Sequence, residues 1–430
     1  MTRYLIPIAG LLAATGCTVT SHRLDPVYEL ASARVKPGIS ILLGDSMNLI
    51  KGKRIALLTN QTGVDEKGRS DIDLLMGDKA KKASVKLVKL FSPEHGIRGT
   101  EDRENLANSV DSKTGLPIIS LYGAGTQAPA DSSFANIDAM VFDLQDVGTR
   151  TWTYVGAMIY SMRTAQRTGK MIVVLDRPNP ITGFYVEGPV LDSALANAND
   201  PTPARAGQAY ALYPMPLRHG MTMGEMALFF NDVLGIKANL RVVPMRNWRR
   251  ELWFDRTELP FVKPSPNLPT LQSEMLYPAL VPFEGSNLSV GRGTPVPFQI
   301  IGAPWLNAEA TVKLLRDREL RGVRFVSEEF TPEDPGDKKY GGQKIPGIRI
   351  LVTNRNEMQP SRVGATLLWA INKTSAAGLK LNERTFDLRM GAPRVREALI
   401  RGEDPQAVID REYKAAFDFR EQTRRYLLYN

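Results

Sequence analysis

The chain has 430 residues, 43% of them apolar and 23% charged, and a formal net charge of +9. That length exceeds one ordinary core and predicts two domains, and the composition excludes a disordered or membrane-spanning chain. The positive charge is dispersed in short clusters such as Lys79-Ala-Lys-Lys82 and Arg246-Asn-Trp-Arg-Arg250. Without a long basic run or a nucleic-acid motif, it points to an anionic substrate or surface and away from nucleic acid.

At the N-terminus, Arg3 precedes the apolar run Leu5 to Ala14, and Ala14-Thr-Gly-Cys17 follows. A basic start, a short apolar core and small residues predict a secretory signal peptide, too short for a stable membrane span. Cys17 is the only cysteine of the chain, and the segment resembles a bacterial lipobox, with Ala14 in place of the usual leucine. The expectation is residues 1–17 as a lipoprotein signal, lipid carried on Cys17, and an exported periplasmic protein. Thr18 replaces the aspartate that retains such proteins in the inner membrane, which implies an outer-membrane anchor. The alternative is a plain cleaved signal with an incidental cysteine. Residues 18–36 are polar, lack periodicity, and read as a tether.

Strand-like and helix-like segments then alternate. Lys53–Thr59, Val85–Phe91, Ile118–Tyr122, Ala139–Asp143 and Met171–Leu175 are short apolar runs. Helical patterns cover Asp71–Met76 and Tyr154–Thr168, and a further helix follows Met221 with Thr222 as N-cap and Glu225 in its first turn. This alternation predicts an α/β fold, a Rossmann-like parallel sheet spanning residues 37–259. The glycine-rich dinucleotide fingerprint is missing, so the layout does not imply NAD, and no cofactor is expected. Leu240–Val243 is another strand candidate. Pro260–Pro304, rich in Pro, Gly, Ser and Asn, reads as a long ordered or functional loop. After it come a helix near Ala308–Leu315, strands near Val323–Phe325 and Gly347–Val352, a helix near Val363–Asn372, and a helical end from about Val395. Residues 260–430 are therefore expected to form a smaller α+β auxiliary domain that completes a cleft.

The strand ends share a pattern. Asn60-Gln61, Glu94-His95, Asp143-Leu-Gln145-Asp146 and Asp176-Arg177 each follow an apolar run. In a parallel sheet these ends lie on one edge, where open α/β folds bind ligands. Each residue alone reads equally as a cap or turn residue; together they predict a site.

Several of these segments resemble one family. They are Leu58-Thr-Asn-Gln-Thr-Gly63, Phe91-Ser-Pro-Glu-His-Gly96, Phe142-Asp-Leu-Gln-Asp-Val-Gly-Thr-Arg150, Leu175-Asp-Arg-Pro-Asn-Pro180, Leu217-Arg-His-Gly-Met-Thr222, Ser265-Pro-Asn-Leu-Pro269 and Phe283-Glu-Gly-Ser-Asn287. In this order they are similar to the bacterial exo-β-N-acetylmuramidases. The resemblance runs from about Lys53 to the C-terminus. It implies a Rossmann-like domain with a C-terminal auxiliary domain, and release of N-acetylmuramic acid from the non-reducing end of peptidoglycan fragments. It also implies that Glu94 is the catalytic glutamate. A non-catalytic lipoprotein that binds wall fragments, or a nucleotide-using enzyme, are the competing readings.

Glycoside hydrolysis uses one carboxylic acid to protonate the leaving oxygen and a second group as nucleophile or base. Glu94 is expected to be the acid, and His95 either a partner that tunes it or a histidine bonded to backbone. Asp143, Asp146 and Glu284 are the candidates for the second carboxylate. Muramic acid carries a lactyl carboxylate, and a guanidinium binds such a planar anion with two parallel hydrogen bonds. Arg98, Arg150, Arg177 and Arg292 lie in or near the motifs, and at least one is expected to read that anion. Asn60, Gln61, Gln145 and Asn267 suit sugar hydroxyls and the acetamido group. Trp152, Tyr154 and Tyr277 are candidates to stack on a ring face. Arg218 and His219 either line the cleft or hold the helix that follows. No His/Asp/Glu spacing suggests a metal.

Overall fold

In a computed structural model of the chain, residues 34–94, 96–97, 107–121, 128–197 and 209–430 are described. Cys17, His95 and Arg98, and with them the predicted signal, lie outside the described residues, as does most of the tether.

The strands are, in chain order, β1 (Arg54–Thr59), β2 (Lys86–Ser92), β3 (Ser109–Val110), β4 (Pro117–Ser120), β5 (Ala139–Asp143), β6 (Met171–Leu175), β7 (Glu187–Val190), β8 (Pro216–Arg218), β9 (Asn239–Val243), β10 (Ile300–Gly302), β11 (Val323–Phe330) and β12 (Ile345–Val352). Seven of them form one sheet in the order β3-β4-β2-β1-β5-β6-β9. Every pairing in it is parallel except β3 with β4 at the edge. The run Ile55–Thr59 of β1 and all of β5 are buried on both faces, which is why these strands read as unbroken apolar runs rather than alternating ones.

The principal helices are α1 (Gly38–Leu42), α2 (Asp71–Leu75), α3 (Asp78–Lys82), α4 (Tyr154–Arg167), α5 (Met223–Val233), α6 (Leu271–Leu280), α7 (Ala308–Arg316), α8 (Pro360–Ser375), α9 (Glu383–Met390), α10 (Pro393–Ile400), α11 (Pro405–Asp410) and α12 (Tyr413–Thr423). One apolar cluster lies under α1–α3, around Ile39, Leu42, Ile55, Leu57 and Val141. A larger one joins the opposite face of the sheet, around Met140, Phe142 and Met158, to Leu276, Ile348 and Leu367 of the C-terminal part. The core is thus continuous from the N-terminal sheet into the C-terminal elements, where β10-β12-β11 form an antiparallel sheet.

Helix α5 starts as its sequence predicts. Thr222 Oγ1 accepts from the Glu225 amide and Glu225 returns a bond to the Thr222 amide, a complete capping box. The segment Pro260–Pro304 differs from the predicted loop, because it contains α6, a 3-10 turn over Val281–Gly285, and β10. Two features hide α6 in the sequence. Every residue from Ser273 to Leu280 is buried, so the helix has no polar stripe to reveal its period. Pro278 lies inside it and denies the helix one amide donor. Thr270 caps its start by accepting from the Ser273 amide.

Candidate active site

The carboxyl ends of the parallel strands bring the predicted polar residues to one edge. Thr59 of β1 stands in register with Asp143 of β5, and Leu58 with Phe91 of β2. Asn60, Glu94 and Asp143 therefore leave the sheet side by side.

Much of this edge is committed to internal bonds. Asn60 Oδ1 accepts from the Thr62 amide at 2.9 Å and from Thr62 Oγ1 at 2.6 Å. Asn60 Nδ2 donates to the Tyr154 hydroxyl at 2.8 Å. The Gln145 amide donates to Thr62 Oγ1 at 3.1 Å, and its Nε2 donates to the carbonyls of Asp146 and Pro178 at 2.8 and 2.7 Å. Gln61 Nε2 donates to the Lys263 carbonyl at 2.9 Å, tying β1 to the segment before α6. These amides fix loops. Asn267 is buried, and its backbone N–H donates to Ser265 Oγ at 3.2 Å. Gly63 closes the first motif because a Cβ there would lie 2.6 Å from Asp71 Oδ2.

Arg177 and Asp143, both buried, bind each other through two bonds: Arg177 Nε with Asp143 Oδ1, and Nη2 with Oδ2 at 3.0 Å. Arg177 Nη2 also donates to the Val64 carbonyl at 2.8 Å. Asp71 lies 3.9 Å from the same guanidinium, and burial, with Asp143 beside it, pushes its carboxyl well above the usual range. Asp143 is a counter-ion here, and Arg177 is engaged by protein groups through Nε and Nη2.

Glu94 follows β2 in a turn and is only partly buried. Thr153 Oγ1 donates to Glu94 Oε2 at 2.6 Å, and the Tyr154 hydroxyl lies 3.5 Å from the Glu94 carbonyl. Burial, then Glu94, push the Tyr154 phenol well up, so it stays a neutral hydroxyl. Trp152 meets Tyr154 edge-on at 5.2 Å and Tyr277 at 5.9 Å, and Tyr277 meets Phe298 at 4.9 Å. This aromatic run links Glu94 to the C-terminal elements. Its members are buried, so they build the wall of the site more than they offer open ring faces.

The segment after β5 holds a second carboxyl group. Asp146 Oδ2 accepts from the Gly148 amide at 2.6 Å and lies 3.2 Å from His219 Nε2, off the line of a hydrogen bond. Its Oδ1 is buried without a partner. His219 Nδ1 accepts from the Met221 amide at 3.1 Å, so the neutral ring carries its hydrogen on Nε2, toward Asp146. Glu274 of α6 is also buried, and its Oε2 has no partner. Burial, with Asp146 adding to it, pushes the Glu274 carboxyl well up. A carboxyl group raised in the fold contributes stability that is complete below about 4.5, its ordinary value, and is lost as pH rises through the folded value. Glu274→Gln, neutral throughout, should therefore show a flatter fall of Tm as pH rises above about 4.5 than the parent chain. Parallel Tm–pH curves for the two proteins would contradict this account.

A third cluster surrounds Glu284. Arg292 Nε donates to Glu284 Oε1 at 2.9 Å, and Arg389 Nε stands 3.3 Å from Oε2. Lys339 Nζ donates to the Glu284 and Leu288 carbonyls at 3.3 and 3.0 Å and lies 3.7 Å from Asp337. Burial raises the Glu284 carboxyl, but Arg292 and Arg389 outweigh it and hold the group below the usual range. Arg150, buried, donates to the carbonyls of Tyr210, Leu388 and Arg389 at 3.0, 2.9 and 2.7 Å. It therefore caps the carboxyl end of α9, where the helix dipole favours a cation. Arg218 is buried too, with its guanidinium 4.7 Å from the Tyr185 ring and 5.5 Å from Trp253.

The structure thus gathers Asn60, Gln61, Glu94, Asp143, Gln145, Asp146, Arg177 and His219 at the sheet edge, and sets Glu284 and Arg292 in the C-terminal cluster. Sequence reasoning missed Thr153, Glu274, Lys339 and Arg389. Thr153 directly precedes α4 and was within reach. Glu274 was concealed with its helix. Lys339 and Arg389 have no local signal, because their position depends on the packing of distant segments. Among the described residues no group of three or more His, Cys, Asp or Glu is placed to hold a metal ion.

Residues 55–272 match the model of the exo-beta-N-acetylmuramidase NamZ N-terminal domain, and residues 275–429 match that of its C-terminal domain. The peptidoglycan beta-N-acetylmuramidase NamZ of Bacillus subtilis (strain 168) is 37% identical over 425 residues, 98% of each chain. Two DUF1343 family crystal structures from Bacteroides fragilis NCTC 9343 share the fold. One has a TM-score of 0.81 at 31% identity and covers 93% of this chain and 100% of its own. The other has a TM-score of 0.69 at 29% identity and covers 93% and 99%. With both domain models matched in order along one continuous core, the chain belongs to the NamZ exo-β-N-acetylmuramidase family.

Proposed function

We propose that this protein is an exo-acting glycoside hydrolase that removes N-acetylmuramic acid from the non-reducing ends of peptidoglycan fragments during wall turnover. The observation that carries the reading is Glu94, held by Thr153 at the carboxyl edge of the parallel sheet, within a family motif. In this role Glu94 protonates the departing sugar oxygen as the glycosidic bond breaks. The second carboxyl group is Asp146. Of the three candidates, Asp143 is neutralised by Arg177 and Glu284 by Arg292 and Arg389, whereas Asp146 keeps an oxygen without a partner. The test is turnover of 4-nitrophenyl N-acetylmuramide by the purified protein. Binding of N-acetylmuramic acid without any turnover would replace the hydrolase by a fragment-binding protein.

The N-terminal segment supports an exported lipoprotein anchored through Cys17, facing the periplasm from the outer membrane. Cys17→Ser should move the protein from the membrane to the soluble fraction of the cell envelope. A variant that still sediments with membranes would end the lipid-anchor reading.

A further inference from the structure

Among the described residues, the Glu284 cluster brings Arg292, Lys339 and Arg389 to Glu284 and Asp337, with Arg150 behind them on the Arg389 carbonyl. Arg150 has no carboxylate partner among the described residues, and its Nε is buried without a hydrogen-bond partner. Burial pushes its guanidinium down to about 9, and Arg389 adds to the effect. Burial likewise lowers the Lys339 ammonium; Asp337 and Glu284 offset this in part, while Arg292 and Arg389 add to it. Partly desolvated like charges repel, and an incoming anion relieves that repulsion.

The cluster is also reachable. The side chains of Arg292, Arg389 and Lys339 are 21%, 18% and 18% exposed. Arg389 presents its guanidinium over the Tyr210 ring at 4.7 Å, which fixes its plane. The aromatic run from Tyr154 through Trp152, Tyr277 and Phe298 joins the cluster to Glu94, with Arg292 lying 5.7 Å over Phe298.

Resting on the hydrolase reading above, we infer that Arg389 and Lys339, with Arg292, form a carboxylate-binding subsite that selects the substrate, and that Arg150 is the positioning residue that holds Arg389 in place. The Arg150 bonds to the Leu388 and Arg389 carbonyls fix the last turn of α9. The segment Asp143–Arg150 thereby sets the geometry of a specificity residue contributed by the other family domain. The anion is a carboxylate carried by the muramyl unit, either on the lactyl group itself or on an attached peptide.

The experiment measures binding by calorimetry and turnover side by side. The ligands are N-acetylmuramic acid, its methyl ester and muramyl dipeptide, whose lactyl group is amidated. The parent chain should bind the acid at least ten-fold more tightly than the ester, and that gap should close in Arg389→Ala and in Lys339→Met. Tight dipeptide binding that is lost in the same variants would put the carboxylate on the peptide; weak dipeptide binding would put it on the lactyl group. Arg389→Lys should recover part of the gap, which a merely structural role would not produce. Equal affinity of the parent for acid and ester, together with dipeptide binding that the variants leave unchanged, overturns the subsite, as does an acid–ester gap that persists in both variants. Turnover of 4-nitrophenyl N-acetylmuramide decides the hydrolase reading separately, so the two can fail independently.

Discussion

Glu94→Gln should lower kcat on the disaccharide N-acetylmuramyl-N-acetylglucosamine by roughly a hundred-fold to ten-thousand-fold. Glutamine keeps the shape and can still meet Thr153, but it has no proton to deliver to the leaving oxygen. The affinity for N-acetylmuramic acid should change little, because the lost interaction belongs to the transition state. The size of the loss should depend on the leaving group. A sugar alkoxide departs poorly without a proton, whereas 4-nitrophenolate is a much weaker base and departs unaided. The same variant should therefore lose far less on 4-nitrophenyl N-acetylmuramide than on the disaccharide. Similar large losses on both substrates would make Glu94 a nucleophile or base instead. An unchanged rate on the disaccharide would remove it from the mechanism.

The second large effect is on stability. Asp143→Ala should cost about 3–5 kcal/mol, because it leaves the Arg177 guanidinium buried without its main counter-ion. The measurement is denaturant unfolding of parent and variant. Asp71, 3.9 Å from Arg177, is a neighbouring carboxyl group able to take over, although burial pushes its carboxyl well up. A loss below about 1 kcal/mol would mean that it does so, and that Asp143 is not the structural counter-ion described above. Replacing both members of the pair, Asp143→Leu with Arg177→Met, should recover part of the loss, since no unpaired charge remains. Whatever folded Asp143→Ala protein survives should retain catalysis, which separates this carboxylate from Glu94 and Asp146.

The strands were legible because burial on both faces leaves unbroken apolar runs; β5 and β6 match their predicted bounds. The start of α5 was legible because Thr222 and Glu225 satisfy free amides within four residues of each other. Helix α6 was not, since total burial removes its polar stripe and Pro278 reads as a breaker. The strand-end pattern predicted that these groups share one edge, as they do, but it could not say which of them were occupied. Asn60, Gln145 and Arg177 carry side chains suited to a sugar or an anion, and the fold engages all three in bonds to the protein itself.

By itself the sequence determined the parallel α/β layout, the family motifs and Glu94 as the residue of interest. These depend on local composition and on short runs whose hydrogen bonding or burial is decided within a few residues. Tertiary structure alone decided the charge partners. An arginine in a motif is free or saturated according to what another segment brings within about 4 Å. Thus Arg177 meets Asp143, Arg150 caps a helix 238 residues further along the chain, and Arg389 and Lys339 converge on Glu284 from segments with no signature of their own.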